Sequence, residues 1–215
     1  TIGRRSSPVM ENPPPIPPST AQPCEILVPV FNGYESVKRC LDSVLAHSPP
    51  DCTIHILDDA SSDLRLLSWL DELEAREPRV SVTRADENLG FVGNVNRGLA
   101  SARGDVILLN SDTVVTAGWV EKLLACAASD PRIALVCPLS NNATILSVPL
   151  MNGDNPIPDG LGVERFGALV ESCSTRRYPR LPVAVGFCML IRWPALQRLG
   201  LLHRAYHRGY GEECD

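Results

Sequence analysis

Lysine is almost missing from this sequence: of its 20 basic residues only Lys38 and Lys122 are lysine. Against 25 acidic residues the formal charge is −5. A chain with that balance carries no broad cationic field, so nucleic acid is not an expected partner. The lysine shortage itself is explained by genome composition as well as by function. Long hydrophobic runs are missing too. The longest nearly apolar stretch, Val183 to Ile191, has nine residues, about half of the ~20 that a helix needs to cross a bilayer. No basic-then-apolar segment with a small-residue cleavage site marks secretion. There are eight cysteines (Cys24, Cys40, Cys52, Cys126, Cys137, Cys173, Cys188, Cys214) but no CxxC pair. Several lie inside apolar runs, which predicts buried free thiols in a reducing compartment rather than disulfides, and no structural zinc.

What is present is a chain of 215 residues and 23.4 kDa, 44% hydrophobic and 21% charged, enough for one domain with a substantial core. Residues 1–23 hold seven of the 19 prolines and predict a disordered linker or tail, with further domains of the same polypeptide expected upstream. From Cys24 onward, apolar strands alternate with helical periodicity. Strands are predicted at Glu25–Val30, Thr53–Leu57, Val80–Thr83, Val106–Leu109, Ile133–Val136 and Val183–Ile191, with helical stripes between the first five and a short helix opened by Pro194. Such alternation favours right-handed crossovers and an α/β fold, a mostly parallel sheet flanked by helices. Residues 140–182 are read as a long irregular loop beside the site, because glycine, proline and asparagine break up any regular pattern there.

In an open parallel sheet, ligands sit outside the carboxyl ends of the strands. Strand one ends in Pro29-Val30-Phe31-Asn32-Gly33, strand two in Asp58-Asp59-Ala60-Ser61-Ser62-Asp63, and strand four in Asn110-Ser111-Asp112-Thr113. These clusters suit a nucleotide held through a divalent cation. Asp112 would ligate Mg²⁺ or Mn²⁺ against a diphosphate, Phe31 would stack on a base, and Asp59 would take base or ribose donors. An alternative stands beside this, in which Asp58, Asp59 and Ser61 form an Asx-type turn that caps the next helix. Asn94, Asn96 and Arg97 likewise either open a helix facing phosphate or belong to a capped helix with a solvent-facing arginine. There is no GxxxxGK[ST] run and no GxGxxG spacing, which excludes the P-loop and dinucleotide signatures.

Taken in order, Pro29-Val30-Phe31-Asn32, the Asp58–Asp63 run, Asn88-Leu89-Gly90-Phe91 with Asn94, Asn96 and Gly98, Leu108–Thr113, Gly186-Phe187-Cys188-Met189 and Gly211-Glu212-Glu213 resemble the motifs of family 2 glycosyltransferases with the GT-A (Rossmann-like) fold. The resemblance covers residues 24–215 and is greatest to the rhamnosyltransferase-like branch. It implies transfer of a sugar from a nucleotide-sugar donor to a hydroxyl acceptor (a glycan, a lipid-linked glycan or a protein), with inversion, in polysaccharide biosynthesis. The implied setting is the cytoplasm, or peripherally the inner face of the plasma membrane. It places Pro29, Phe31, Asn32, Asp58, Asp59, Asn88, Gly90, Asn94, Asn110, Ser111 and Asp112 at the sugar donor. It makes Glu213 the general base, with Glu212 the alternative, and puts Asp215 on the acceptor side. The family's metal motif is usually DxD, and here Asn110 and Ser111 precede Asp112, so Asp112 is the expected lone carboxylate of that turn and weak, exchangeable metal binding is expected. Family members continue beyond the acidic pair, so a domain truncated at its C-terminal end is expected. Two other readings are a nucleotidyltransferase that makes sugar nucleotides, although no glycine- and basic-rich loop follows strand one, and a non-catalytic nucleotide-binding module.

Overall fold

The computed structural model describes residues 24–181, 183–203 and 205. The expected proline-rich tail lies outside them. Six strands form one sheet: β1 (Glu25–Val30), β2 (Thr53–Asp58), β3 (Val80–Arg84), β4 (Val106–Leu109), β5 (Leu135–Val136) and β6 (Cys188–Ile191), in the order β3-β2-β1-β4-β6-β5. The first four of that order are parallel, and β6 runs antiparallel to both β4 and β5. Between and after the strands come α1 (Tyr34–His47), α2 (Leu64–Arg76), α3 (Gly90–Ser101), α4 (Trp119–Ala128), α5 (Gly162–Cys173) and α6 (Trp193–Leu199).

The period of two along each strand sorts the core onto two faces. Ile26, Val28 and Val30 of β1, Ile54 and Ile56 of β2, Ile107 and Leu109 of β4 and Leu190 of β6 meet Val37, Leu41 and Val44 of α1, Leu66 and Leu70 of α2 and Val120 and Leu123 of α4. On the other face Leu27, Leu57, Leu108 and Met189 meet Val95 and Leu99 of α3 and Leu196 of α6. Gly98 lets α3 seat there. A Cβ at that position would stand 2.6 Å from Leu57 Cδ1 and 2.9 Å from Leu27 Cδ1, closer than packed carbons allow.

Three expectations need correction. The loop predicted for 140–182 contains a helix, α5, and a single 3₁₀ turn at Thr144–Leu146. Along α5, Val163, Phe166 and Val170 recur at helical spacing and are half-buried, but no residue is fully buried, and Pro156, Pro158, Gly160 and Gly162 just before them read as loop. The strand predicted over Val183–Ile191 pairs only from Cys188, because its partner β4 offers four residues, Val106↔Ile191 through Leu109↔Cys188. The fifth strand is two residues long rather than four. No disulfide joins the seven cysteines among the described residues, and Cys24, Cys40, Cys52 and Cys188 are buried. No helix of the described residues is long and apolar enough to cross a membrane.

Candidate active site at the carboxyl rim of the sheet

Because β1 to β4 are parallel, and two antiparallel steps return β5 to the same direction, the segments that follow all five strands open on one rim. Phe31 leaves β1 at this rim with 56% of its surface exposed, an unusual place for a large aromatic ring. Pro29 lies just inside, within β1 and opposite Leu57. The backbone that presents Phe31 is fixed by its neighbour. Asn32, at φ 56°, accepts hydrogen bonds on Oδ1 from Ser62 N (2.8 Å) and Asp63 N (3.0 Å), while its own N–H donates to Ser61 Oγ (2.8 Å). Asn32 therefore fastens the end of β1 to the loop after β2.

The acidic run divides its labour. Asp58 Oδ1 accepts from Ser61 N at 3.2 Å, and its Oδ2 faces Arg84 Nε at 3.8 Å. Asp63 caps α2, accepting from Arg65 N and Leu66 N. Asp58 and Ser61 thus form an Asx-type turn, while the cap of the next helix comes from Asp63, which that reading did not name. Asp59 does something else. It is 4% exposed, and its two oxygens accept from Leu89 N (2.8 Å) and Gly90 N (3.0 Å), so it caps α3 across the sheet, where the helix dipole favours a negative charge. Asn88 returns to the same residue, donating to the Asp59 carbonyl at 3.3 Å.

The expectation that Asn94, Asn96 and Arg97 open a helix is corrected: α3 begins at Gly90, and these residues lie inside it. Asn94 is 1% exposed, donates to the Leu57 carbonyl at 2.6 Å and accepts from Arg97 Nη1 at 3.2 Å. In that position it holds the end of β2. Asn96 clasps Leu202, and Arg97 donates to the Arg84 carbonyl.

The turn after β4 is built differently. Asn110 N donates to Phe187 O (2.8 Å) and Thr113 N to Asn110 O (3.1 Å), which closes a tight turn over Ser111 and Asp112. Asp112 is exposed, and among the described residues it has no hydrogen bond or ion pair. The Asn110 side-chain oxygen is buried without a partner, an arrangement that costs about 1–3 kcal/mol unless something supplies a donor or a cation. The Asp112 carboxylate and the Asn110 amide oxygen lie two residues apart on this turn, and oxygen ligands are what a hard divalent cation takes. Among the described residues no group of three His, Cys, Asp or Glu side chains gathers to cage a metal.

A cavity of about 370 Å³ opens at the β3 end of the rim, lined by Arg84, Ala85, Asp86, Glu87, Leu89 and Arg97. Sequence reasoning missed it. Its signal in the sequence is the polar segment Asp86-Glu87-Asn88 just past β3. Glu212, Glu213 and Asp215 lie outside the described residues, so the structure does not place the acidic pair relative to the rim.

Comparison with known proteins gives a consistent result. The family model "Glycosyl transferase family 2" matches residues 25–200. An uncharacterized glycosyltransferase of Haemophilus influenzae is 25% identical over 109 residues, covering 50% of this chain and 33% of that protein. Polypeptide N-acetylgalactosaminyltransferase 10 of Rattus norvegicus is 33% identical over 118 residues, covering 53% of this chain and 19% of its own length. The chain thus spans a third or less of these two curated relatives. Among solved structures, GalNAc-T7 with UDP, GalNAc and Mn²⁺ superposes with a TM-score of 0.67 at 19% identity, covering 89% of this chain and 38% of that one. The mannosyltransferase PcManGT of Pyrobaculum calidifontis, in complex with GDP-Man and Mn²⁺, superposes with a TM-score of 0.62 at 18% identity, covering 91% and 50%.

Proposed function

The chain belongs to glycosyltransferase family 2 and has the GT-A fold, and from that premise we propose that its rim binds a nucleoside-diphosphate sugar and passes the sugar to a hydroxyl acceptor with inversion. One observation carries the reading. At a rim where Asn32, Asp58, Asp59 and Asp63 are spent on backbone N–H groups, Asp112 and the Asn110 side-chain oxygen have no partner among the described residues. In this reading Asp112, backed by Asn110 and Ser111, holds Mg²⁺ or Mn²⁺ against the diphosphate, and Phe31 stacks on the base. The Asn32, Asp59, Asn88 and Gly90 contacts shape the walls, and the cavity beside Arg84 takes the edge of the nucleoside. When bound, the cation neutralises charge on the departing diphosphate. Glu213, or Glu212 beside it, takes the proton of the acceptor hydroxyl, and Asp215 orients the acceptor. The Mn²⁺, UDP and GDP-mannose in the two superposed structures support a cation-assisted nucleotide site. A rhamnosyl or hexosyl donor and a glycan, lipid-linked glycan or protein acceptor fit equally, and polysaccharide assembly in the cytoplasm, or on the inner face of the plasma membrane, is the setting we propose.

Calorimetric titration with UDP, GDP and dTDP, with and without Mn²⁺, tests the reading. Saturable, metal-strengthened binding of at least one nucleotide is expected, and Asp112→Asn should remove the metal dependence. No binding of any of them, or unchanged metal dependence in Asp112→Asn, overturns it.

A further inference from the structure

We propose that Cys40 and Ser43, one helical turn apart on α1, are positioning residues that set the Asn110–Val115 turn for cation binding; this rests on the reading of Asp112 given above. Asp112 is exposed and has no partner of its own among the described residues, so the backbone of its turn decides where the carboxylate stands. That backbone is pinned at both ends. Cys40 Sγ donates to Asn110 O at 3.5 Å, and Ser43 Oγ accepts from Val115 N at 3.1 Å.

The two contacts are coupled through the helix. Ser43 Oγ gives its proton to Cys40 O at 2.7 Å, which leaves its lone pairs facing Val115 N. A hydroxyl free to rotate would be an uncertain acceptor; one whose proton is already committed is a fixed one. Cys40 is fully buried and Val115 is 6% exposed, while their partners Asn110 and Ser43 are half-buried. Helix α1 is itself a rigid backing, with Val37, Leu41 and Val44 locked in the core. Loosening the grip of α1 should therefore let the Asp112 turn wander while the base platform at Phe31, held by Asn32 and the loop after β2, stays where it is. A side chain that merely stabilised the fold would weaken both together.

The experiment compares the full chain with Ser43→Ala and Cys40→Val, and with Ser43→Thr and Cys40→Ser as conservative partners. Three quantities are read: Mn²⁺ uptake in the presence of UDP or GDP by electron paramagnetic resonance, affinity for uridine or guanosine alone, and amide hydrogen exchange across 110–115. Ser43→Ala and Cys40→Val are expected to weaken Mn²⁺–nucleotide binding about tenfold, the size of one lost hydrogen bond. Nucleoside affinity should stay within about twofold, exchange at Thr113 and Val115 should quicken, and Ser43→Thr should restore both. Unchanged exchange in both Ser43→Ala and Cys40→Val overturns the proposal, and so does an equal loss of nucleoside and cation binding. If the wild-type chain takes up no Mn²⁺ with either nucleotide, the reading of the rim fails, and with it the role assigned here to the turn, whatever the exchange arm shows.

Discussion

Asn96 and Leu202, 106 positions apart, exchange two hydrogen bonds: the Asn96 amide donates to Leu202 O at 2.8 Å and accepts from Leu202 N at 2.9 Å. A side-chain amide here does what a neighbouring strand does in a sheet, satisfying both polar groups of a peptide unit at once. The clasp ties the segment after α6 to the buried face of α3. Asn96→Ala leaves both Leu202 groups short of a partner and should lower stability by about 2 kcal/mol, read as a reduced urea midpoint with unchanged m. Asn96→Asp keeps the acceptor but turns a carboxylate oxygen toward Leu202 O, so it should not rescue. A midpoint unchanged in both variants would show that water replaces the clasp at no cost.

Asp59 yields the second prediction, because two roles for it make opposite forecasts. If it acts on the nucleotide only by holding the Leu89–Gly90 turn, Asp59→Asn places an NH₂ group against the Leu89 or Gly90 N–H. Stability should then fall by about 1–3 kcal/mol, since hydrogen bonds to a charged acceptor are among the stronger ones. UDP and GDP should weaken together. If Asp59 instead reads the base directly, stability should hold and the preference between UDP and GDP should change. Denaturation and nucleotide titration on one sample of the variant decide between them. The 4% exposure of Asp59 favours the first outcome.

The contrast between these residues marks where sequence reading stops. The α/β alternation was legible because a buried strand and an amphipathic helix leave different periods in the chain. Helix α5 was not, because its short stripe of Val163, Phe166 and Val170 is only half-buried and follows Pro156, Pro158, Gly160 and Gly162, which read as loop. Nor was the reversed direction of β6, since Cys-Met-Leu-Ile is equally apolar read either way and only pairing with β4 and β5 fixes its sense. The rim residues were legible as a set. Which carboxylate is free and which is spent was not, because the deciding bonds, Asn32 to Ser62, Asp59 to Gly90 and Cys40 to Asn110, span 30, 31 and 70 positions.

Phe31 gives the third prediction. With more than half of its surface exposed, it contributes little to the core, so Phe31→Ala should change stability by no more than about 0.5 kcal/mol. Stacking of a base on an aromatic ring is worth about 1–3 kcal/mol, so the same substitution should weaken UDP or GDP binding by about 5- to 150-fold. Phe31→Tyr should retain binding. Full nucleotide affinity in Phe31→Ala would remove this ring from the site.

The fourth prediction concerns alkaline pH and comes from the thiols beneath the rim. Burial pushes the Cys40 thiol up to about 12, with the Asp112 charge adding to the shift and the Thr113 N–H opposing it. Burial also raises Cys188, with Cys137 and Cys40 adding. An unfolded cysteine ionises near pH 8.5. Below that value both states hold the proton and the thiols' contribution to stability is fully present. Above it the unfolded chain releases protons that the native protein keeps, so stability declines with rising pH and goes on declining until the folded thiols ionise in turn. Urea midpoints measured from about pH 8 to 11 should therefore fall more steeply for the wild-type chain than for Cys40→Ala/Cys188→Ala, because tyrosines and other alkaline groups titrate alike in both and cancel in the comparison. The comparison rests on slopes, so the cavity left by the missing sulfurs shifts both curves without altering the test. Parallel slopes would mean that the two thiols ionise in the native protein as readily as in the unfolded one, and so that water reaches the underside of the Asp112 turn.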